Sequence, residues 1–117
     1  MTWKVAFADE FLAEYEALSE AVQDELLVGA KLLERYGPSL GRPHVDTLNG
    51  SAYANMKELR FRADNGIWRV AFAFDPKRNA ILLVAGDKGG TAQARFYKRL
   101  LATADIRYAA HLKQIGL

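Results

Sequence analysis

Apolar residues repeat with two different periods in the first third of the chain. Alternation of apolar and polar residues predicts a strand over Thr2–Phe7. The spacing then changes to three and four residues, which predicts two helices, Asp9–Leu18 and Ser19–Tyr36. Asp9 is the expected N-cap of the first helix, and Ser19 either caps the second or marks a bend in one continuous helix.

A loop and a hairpin follow these helices. The segment Gly37–Tyr53 is rich in Gly, Pro, Asn and Ser and shows no period, so we predict a long loop there. Alternation returns in two segments, Asn55–Arg62 and Ile67–Phe74, which are predicted to pair as antiparallel strands. The dipeptide Asn65-Gly66 between them is a strong signal for the hairpin turn.

The last third of the chain predicts one more strand and one more helix. After a turn over Asp75–Asn79, the nearly unbroken apolar run AILLVAG predicts a central strand that ends near Lys88 and is buried on both faces. The final helix is expected to be capped by Thr91. Its apolar stripe comprises Phe96, Leu100, Ala104 and Tyr108.

The resulting order, β-α-α-β-β-β-α, predicts an α+β domain. We expect a mostly antiparallel sheet with the helices packed on one of its faces. The chain contains no internal repeat and no segment with the composition of a linker, so a single domain over residues 1–117 is expected.

Composition narrows the kinds of site that the chain can build. Cysteine is absent, which excludes disulfides and any site in which cysteine binds zinc or an iron–sulfur cluster. The two histidines, His44 and His111, have no suitably spaced partners, so no metal site is expected. No apolar run approaches the roughly 18 residues of a membrane span, and the first residues lack the pattern of a signal peptide. We therefore expect a soluble, cytoplasmic protein.

Charged residues are distributed unevenly along the chain. Residues 1–36 contain three Lys or Arg and eight Asp or Glu, whereas residues 37–117 contain thirteen and six. Such an asymmetry indicates an anionic ligand for the basic part. A pair of helices with an acidic, solvated face accounts for the same distribution equally well.

The predicted hairpin separates arginines from aromatic residues. Alternation places Arg60, Arg62 and Arg69 on one face together with Glu58, whatever the register. With the turn at Asn65-Gly66, Arg62 lies opposite Arg69. A shift by one whole pair places Arg60 opposite Arg69 instead.

These arginines belong to a larger cationic set, and guanidinium groups match the geometry of phosphate oxygens. The members on or beside the sheet are Lys57, Arg60, Arg62, Arg69 and Lys88, and those on the last helix are Arg95, Lys98 and Arg99. Tyr53, Phe96 and Tyr97 could supply rings on which bases stack. An ordinary solvated sheet face explains the arginines as well, so the residues alone leave both interpretations open.

The order of these segments is similar to that of the RelE/ParE toxin superfamily, and more narrowly of its HigB-like branch, the phage-derived Gp49-like family. The segments that carry the resemblance most specifically are KELR (Lys57–Arg60), WRVAF (Trp68–Phe72) and the strand that ends at Lys88. The resemblance extends from about Trp3 to Leu112. It implies an α+β fold like that of the microbial ribonucleases.

The resemblance also implies a function. HigB-like proteins are toxins of type II toxin–antitoxin modules and act as mRNA interferases, which cleave translated mRNA at the ribosome without a metal ion or other cofactor. A cognate antitoxin with a helix-turn-helix domain neutralises them. Two alternatives stay open: a ParE-like inhibitor of DNA gyrase, and a phage-derived protein that binds an antitoxin without being an enzyme.

The resemblance assigns roles to several residues of the cationic set. Arg60 and Arg69 stand in the matching motifs and are expected to bind the scissile phosphate and its transition state. Lys88 is the candidate general base. Glu58 is either an alternative base or the ion-pair partner of an arginine, and Tyr97 is a stacking residue, a general acid or a core residue. The remaining RNA-binding candidates are Lys57, Arg62, Tyr53, Arg95, Lys98 and Arg99, although Lys57 alternates onto the apolar face.

Overall fold

The computed structural model describes residues 2–117 and contains five strands and three α-helices. The strands are β1 (Lys4–Phe7), β2 (Val45–Thr47), β3 (Met56–Ala63), β4 (Gly66–Phe74) and β5 (Asn79–Asp87), and the helices are α1 (Asp9–Glu16), α2 (Glu20–Tyr36) and α3 (Gln93–Gln114). The spatial order of the sheet is β1-β5-β4-β3-β2, and every neighbouring pair is antiparallel except β1 and β5. The predicted α+β class and mostly antiparallel sheet are therefore confirmed.

One strand was not predicted. β2 lies inside the segment Gly37–Tyr53, which the sequence assigned to a loop, and it pairs with the start of β3 through Val45 and Leu59. Its three residues are too few to show a period, so only pairing with an existing strand defines it. The prediction that β5 is a central strand buried on both faces is confirmed, because β5 lies between β1 and β4 and Ala80–Leu83 are buried.

The hairpin turn is displaced by one residue from its predicted position. Asp64 and Asn65 form the turn with φ angles of 50° and 59°, a left-handed conformation that Asp and Asn tolerate better than most residues. Gly66 instead begins β4, where a Cβ atom would lie 2.7 Å from a carboxylate oxygen of Asp87. The turn at Asn65-Gly66 was thus wrong, and the alternative register, with Arg60 opposite Arg69, is the correct one.

Helix capping agrees with the prediction at one of three positions. Ser19 caps α2, and its hydroxyl accepts a hydrogen bond from the backbone amide of Val22 at 3.3 Å. The N-cap positions of α1 and α3 are occupied by Ala8 and Ala92, so the capping roles predicted for Asp9 and Thr91 were wrong. Asp9 instead lies in the first turn of α1, where its charge favours the positive end of the helix dipole.

The helices pack on both faces of the sheet, which corrects the expectation of one face. Leu59 is opposite Val70, and a Cβ atom on Gly29 of α2 would lie 2.6 Å from the Leu59 side chain, so α2 covers this face. Gly86 lies opposite Arg69 on the other face, where Phe96 of α3 covers it. Val70–Ala73 of β4 and Ala80–Leu83 of β5 are buried and apolar on both faces, so the helices can bury their apolar stripes on either side of the sheet.

Polar contacts fix the second half of α3. Arg107 donates hydrogen bonds to both carboxylate oxygens of Glu14 in α1, at 2.8 and 2.6 Å, and one to the carbonyl oxygen of Leu83, at 2.8 Å. One turn further on, Nε2 of His111 lies 2.8 Å from Oδ2 of the buried Asp75. Within residues 2–117, none of the helices has both the length and the apolar composition needed to cross a bilayer.

Candidate functional site

Two arginines stand opposite each other near the turn of the β3–β4 hairpin. Arg60 on β3 pairs with Arg69 on β4, so both side chains project from the face that α3 covers. Glu58 lies two residues before Arg60 and shares this face. The face is not an ordinary solvated surface, because the side chains of Arg69 and Glu58 are each only 7% exposed.

Arg69 is a buried cation whose charge is incompletely compensated. Its Nε lies 3.6 Å from Oε1 of Glu58, close enough for an ion pair but too far for a hydrogen bond. In the part of the chain that the structure describes, this buried Nε has no hydrogen-bond partner. The Nη1 atom donates to the carbonyl oxygen of Trp68 at 3.0 Å. Among the described residues, the buried Arg69 therefore has a single carboxylate neighbour, Glu58, and no hydrogen bond to it from Nε.

Tyr97 joins this group from the first turns of α3. Its hydroxyl donates a hydrogen bond to Oε1 of Glu58 at 2.8 Å, although 39 residues separate the two in sequence. The ring is half-buried and packs edge-on against Phe96, with 5.2 Å between the ring centroids. Burial, together with the hydrogen bond to Glu58, raises the pKa of the Tyr97 hydroxyl, so the group keeps its proton at neutral pH.

Lys88 reaches the same site from the end of β5. Its Nζ lies 6.0 Å from the centroid of the Tyr97 ring. Burial and the positive charge of Arg69 lower the pKa of the Lys88 ammonium group, Arg60 adds to this effect, and the charge of Glu58 opposes it. Arg69 and Arg60 are thus close enough to Lys88 to weaken its hold on the ammonium proton.

The other rim of the site is formed by the segment before β3. Asp46 on β2 lies 3.9 Å from Arg60 but already accepts two hydrogen bonds from Arg42, at 3.0 and 2.8 Å, which lower the pKa of the Asp46 carboxyl. Beside the arginines is a cleft of about 240 Å³. Its walls are Pro43, Arg60, Phe61, Arg62, Ile67 and Arg69. Arg62 therefore extends the positive surface along the hairpin.

Several predicted site residues lie elsewhere. The Tyr53 ring packs edge-on against Tyr108 with centroids 4.9 Å apart, far down α3 from Tyr97, so it does not join the arginines. Lys57 lies opposite Phe72 on the other face, as its alternation predicted, and its Nζ is 3.5 Å from the Thr47 hydroxyl. A separate group of cations is exposed on the first two turns of α3. These are Arg95, Lys98 and Arg99, of which Arg99 borders a groove along β5.

The structure also brings together residues that the sequence did not single out. A second cleft, on the Glu58 side of the arginines, includes side chains from β2, from the turn after it and from the start of α3. It is lined by Thr47, Leu48, Asn49, Glu58, Gln93 and Tyr97. Four of them were assigned neither to a predicted strand nor to the cationic set, so no signal in the sequence marked them. These are Thr47, Leu48, Asn49 and Gln93.

The chain belongs to the phage-derived Gp49-like protein family, whose model matches residues 13–109. Among curated proteins, it is 38% identical over 110 residues to the Mycobacterium tuberculosis protein named "Putative toxin HigB2". It is 54% identical over 76 residues to a second protein of that organism, named "Putative toxin HigB3". These matches cover 93% and 65% of the chain, and the chain spans 54% and 64% of the lengths of these two relatives.

Solved structures with the same fold include two RelE proteins. A double mutant of the E. coli toxin RelE in the free state aligns with a TM-score of 0.62 at 14% identity, over 87% of this chain and 96% of that one. The archaeal RelE–RelB complex from Pyrococcus horikoshii OT3 gives a TM-score of 0.56 at 22% identity, over 78% of this chain and 100% of that one. The chain therefore has the RelE-like fold that its motifs predicted.

Proposed function

We propose that this protein is the toxin of a type II toxin–antitoxin module and that it is an endoribonuclease acting on mRNA. Membership of the Gp49-like family and similarity to proteins named as toxins support the first part. The observation that carries the second part is the burial of Arg69 opposite Arg60, with Glu58 as the one carboxylate that pairs with the buried arginine. An anion bound there would neutralise the positive charge of the arginines that the neighbouring carboxylates leave uncompensated.

A phosphodiester suits this position for a chemical reason. In RNA cleavage without a metal ion, the ribose 2′-oxygen forms a bond to the adjacent phosphorus while the bond to the 5′-oxygen breaks. Negative charge accumulates on the nonbridging oxygens in the transition state, and fixed guanidinium groups stabilise that state more than the substrate. Arg60 and Arg69 are preorganised for this role, because strand pairing places them side by side and burial restrains Arg69.

The same reaction needs one proton acceptor and one donor. We assign the acceptor to Lys88, whose lowered pKa increases the fraction of neutral amine that can take the proton of the 2′-hydroxyl. We assign the donor to Tyr97, which keeps its proton and can release it to the 5′-oxygen. Glu58 then orients the Tyr97 hydroxyl and compensates Arg69. A role for Glu58 as the base remains an alternative within this proposal.

Partners follow from the proposal. The protein that one structural neighbour binds is RelB, so an antitoxin is the expected partner of this chain, and the resemblance in sequence implies a helix-turn-helix antitoxin. The same resemblance implies that mRNA is cleaved during translation, at the ribosome and hence in the cytoplasm. The exposed cations Arg62, Arg95, Lys98 and Arg99 would contact RNA phosphates around the cut.

Induced expression with mapping of RNA ends tests this function. Wild type should arrest growth and produce new transcript ends that carry a 5′-hydroxyl, because the 5′-oxygen is the leaving group. Arg69→Ala should lose both effects while it remains folded by circular dichroism. Arg35→Ala provides a matched control, since this exposed arginine lies in the last turn of α2, on the other face of the sheet. It should keep the wild-type effect.

Two outcomes would replace the proposal by another function. A DNA-damage response with intact transcripts would indicate a gyrase inhibitor. No growth arrest, together with binding to a co-expressed antitoxin, would indicate a protein without enzymatic activity. A folded Arg69→Ala variant that cleaves RNA at the wild-type rate would remove Arg69 from the mechanism.

A further inference from the structure

Helix α2 carries a row of six exposed residues on the side that is turned away from the sheet. The row comprises Glu20, Asp24, Leu27, Val28, Lys31 and Arg35. Because successive residues of an α-helix turn by about 100°, these six fall within an arc of about 100°. The buried residues Val22, Leu26 and Leu33 lie on the opposite side of the helix. We call this row the α2 outer face.

The chemistry of the α2 outer face is symmetric about its centre. Two apolar residues, Leu27 and Val28, are adjacent at the midpoint and are 42% and 55% exposed. Asp24 stands three residues before Leu27, and Lys31 stands three residues after Val28. The outermost residues of the row repeat this arrangement at seven residues. Each acid on the N-terminal half therefore has a base at the equivalent position on the C-terminal half.

We propose that the α2 outer face binds the same face of a second copy of the chain, with the two helices antiparallel. In a dimer with a two-fold axis, residue i of one copy contacts residue j of the other, and j contacts i. An axis through the midpoint of the row brings Asp24 of each copy against Lys31 of the other, and Glu20 against Arg35. The two apolar residues of each copy meet at the centre. Parallel helices would place each charge against its like, so charge selects the antiparallel arrangement.

The charges of the α2 outer face are not compensated within one copy. In the part of the chain that the structure describes, none of its four charged side chains forms an ion pair. Glu20 and Asp24 are instead like charges one turn apart, and so are Lys31 and Arg35, which slightly disfavours the helix. The helix dipole explains acids at the start and bases at the end of α2, but not the exposed apolar residues between them. A second copy explains both.

The interface is small, so the dimer should be weak. Six residues from each copy are far fewer than the roughly 20–30 on each side of a stable complex, and we expect a Kd of about 10–100 µM. Unfolding measured well below this concentration reports the monomer. Since α2 packs on Leu59, on the face of the sheet opposite to Arg69, association leaves the arginine pair accessible in both copies. The rate of RNA cleavage should therefore not depend on it.

Sedimentation equilibrium of the full chain from about 1 to 500 µM measures the association. Wild type should change from monomer to dimer within this range. Asp24→Lys and Lys31→Asp each convert two ion pairs between the copies into like-charge contacts, so each variant alone should self-associate at least about 10-fold more weakly. Glu25→Lys makes the same type of change at an exposed residue of α2 outside the α2 outer face, and it should dimerise as wild type does.

Mixing the two variants gives the sharper test. In a mixed dimer, the lysine introduced by Asp24→Lys meets the aspartate introduced by Lys31→Asp, while the native Lys31 and Asp24 still meet each other. A 1:1 mixture should therefore dimerise with a Kd near that of wild type, although neither component does so alone. Circular dichroism of each variant should match wild type, which shows that the weaker association does not come from misfolding.

Three results would overturn the proposal. They are a wild type that stays monomeric throughout the range, a dimer that neither single variant weakens, and a mixture that associates no better than its components. A face that is unoccupied in the free chain but covered in the complex with an antitoxin would assign it to that partner instead. Mapping of RNA ends decides the proposed function separately, because the α2 outer face takes no part in cleavage.

Discussion

Arg60 and Arg69 form a directly opposed pair of like charges on neighbouring strands. Such a pair destabilises a sheet by about 0.2–1 kcal/mol. Asp46 offsets part of this repulsion, at 3.9 Å from Arg60, and Glu58 offsets another part from the side of Arg69. The arrangement is unfavourable for the folded protein alone, and the anion that the proposed function places between the two side chains would offset the repulsion.

Replacement of one arginine should therefore separate stability from activity. We expect Arg60→Gln to leave the free energy of unfolding unchanged or to raise it by up to about 1 kcal/mol, because the repulsion is removed. The rate of RNA cleavage should fall by about 100-fold or more, because a preorganised charge is lost from the transition state. Urea denaturation and a cleavage assay measure the two quantities. Arg35→Gln is the control, and a loss of stability in Arg60→Gln would contradict the argument.

Glu58→Gln should have the opposite effect on stability. The glutamine can still accept the hydrogen bond of Tyr97, but the buried charge of Arg69 loses its counter-charge. Breaking a buried ion pair on one side costs about 3 kcal/mol. Thermal unfolding should show a clearly lower Tm, whereas Glu25→Gln, an exposed position on α2, should show none of this loss. Equal stability of Glu58→Gln and wild type would mean that Arg69 is compensated elsewhere.

The pH dependence of cleavage should reflect Lys88. Its lowered pKa means that the neutral amine becomes populated at lower pH than in an ordinary lysine, so the rate should rise with pH through that lowered value. Lys88→Arg keeps the positive charge but cannot give up a proton at these pH values. This variant should lose about 10²-fold or more of the rate and also the rise.

Two further variants sharpen this test. Arg60→Gln removes one of the charges that lower the Lys88 pKa, so the rise in rate should move to higher pH. Lys31→Arg, at an exposed position on α2, should retain the wild-type profile. A Lys88→Arg variant with the wild-type rate and profile would assign the base to another group, with Glu58 as the next candidate.

Stability in acid should depend on Asp75. Burial raises the pKa of this carboxyl. Hydrogen bonds from His111, from Asn79 and from the backbone amide of Lys77 lower the pKa by more than burial raises it, so the net shift is downward. A carboxyl whose pKa is lower in the folded state than in the unfolded state stabilises the fold at any pH above its unfolded-state pKa of about 4. This stabilisation is lost as the pH falls through the pKa of the folded state.

Asp75→Asn should accordingly lower the free energy of unfolding at neutral pH by about 2–3 kcal/mol, the usual contribution of hydrogen bonds to a charged group. The same variant should show a weaker loss of stability between neutral pH and strong acid than wild type. Tm measured as a function of pH gives both results. Asp24→Asn, an exposed residue of α2, should follow the wild-type curve. Parallel curves for Asp75→Asn and wild type would refute the linkage.

Gly29→Ala tests the packing of α2 on the sheet. Alanine normally favours a helix over glycine by about 1 kcal/mol, but here the added Cβ atom would lie 2.6 Å from the buried Leu59 side chain. Overpacking of a core costs about 1–3 kcal/mol, so we expect a net loss of stability in urea. Gly41→Ala, where a Cβ atom meets nothing within 4 Å, should cause no comparable loss.

Periodic patterns in the sequence predicted most of the fold. The stripe of α3 is buried as predicted, and the separation of arginines from aromatic residues in the hairpin was independent of register. The position of the turn was not predictable in the same way. Asn-Gly is a strong local signal, but Gly66 is needed in β4 because Asp87 and Trp68 leave no space for a side chain. Packing between strands outweighed local propensity.

The site was less predictable than the fold for a related reason. Charge and motif indicated Arg60, Arg69 and Lys88, but not that Arg69 and Glu58 are buried. Burial depends on α3 crossing that face, and the sequence led us to expect helices on only one face of the sheet. The contact between Tyr97 and Glu58 joins residues that are 39 positions apart in sequence. Periodicity within one helix or strand cannot predict a contact between two elements so far apart in the chain.

The alternation of the hairpin implies a characteristic result in a deep mutational scan for toxicity. Along β3, Leu59 supports the core, Glu58 compensates the buried Arg69, and Arg60 faces the proposed substrate. Loss-of-toxicity variants should therefore fall into two classes: variants with reduced protein abundance, at Leu59 and Glu58, and variants at Arg60 that accumulate normally and still bind an antitoxin. Only the second class could serve as inactive but folded toxin for purification of the complex.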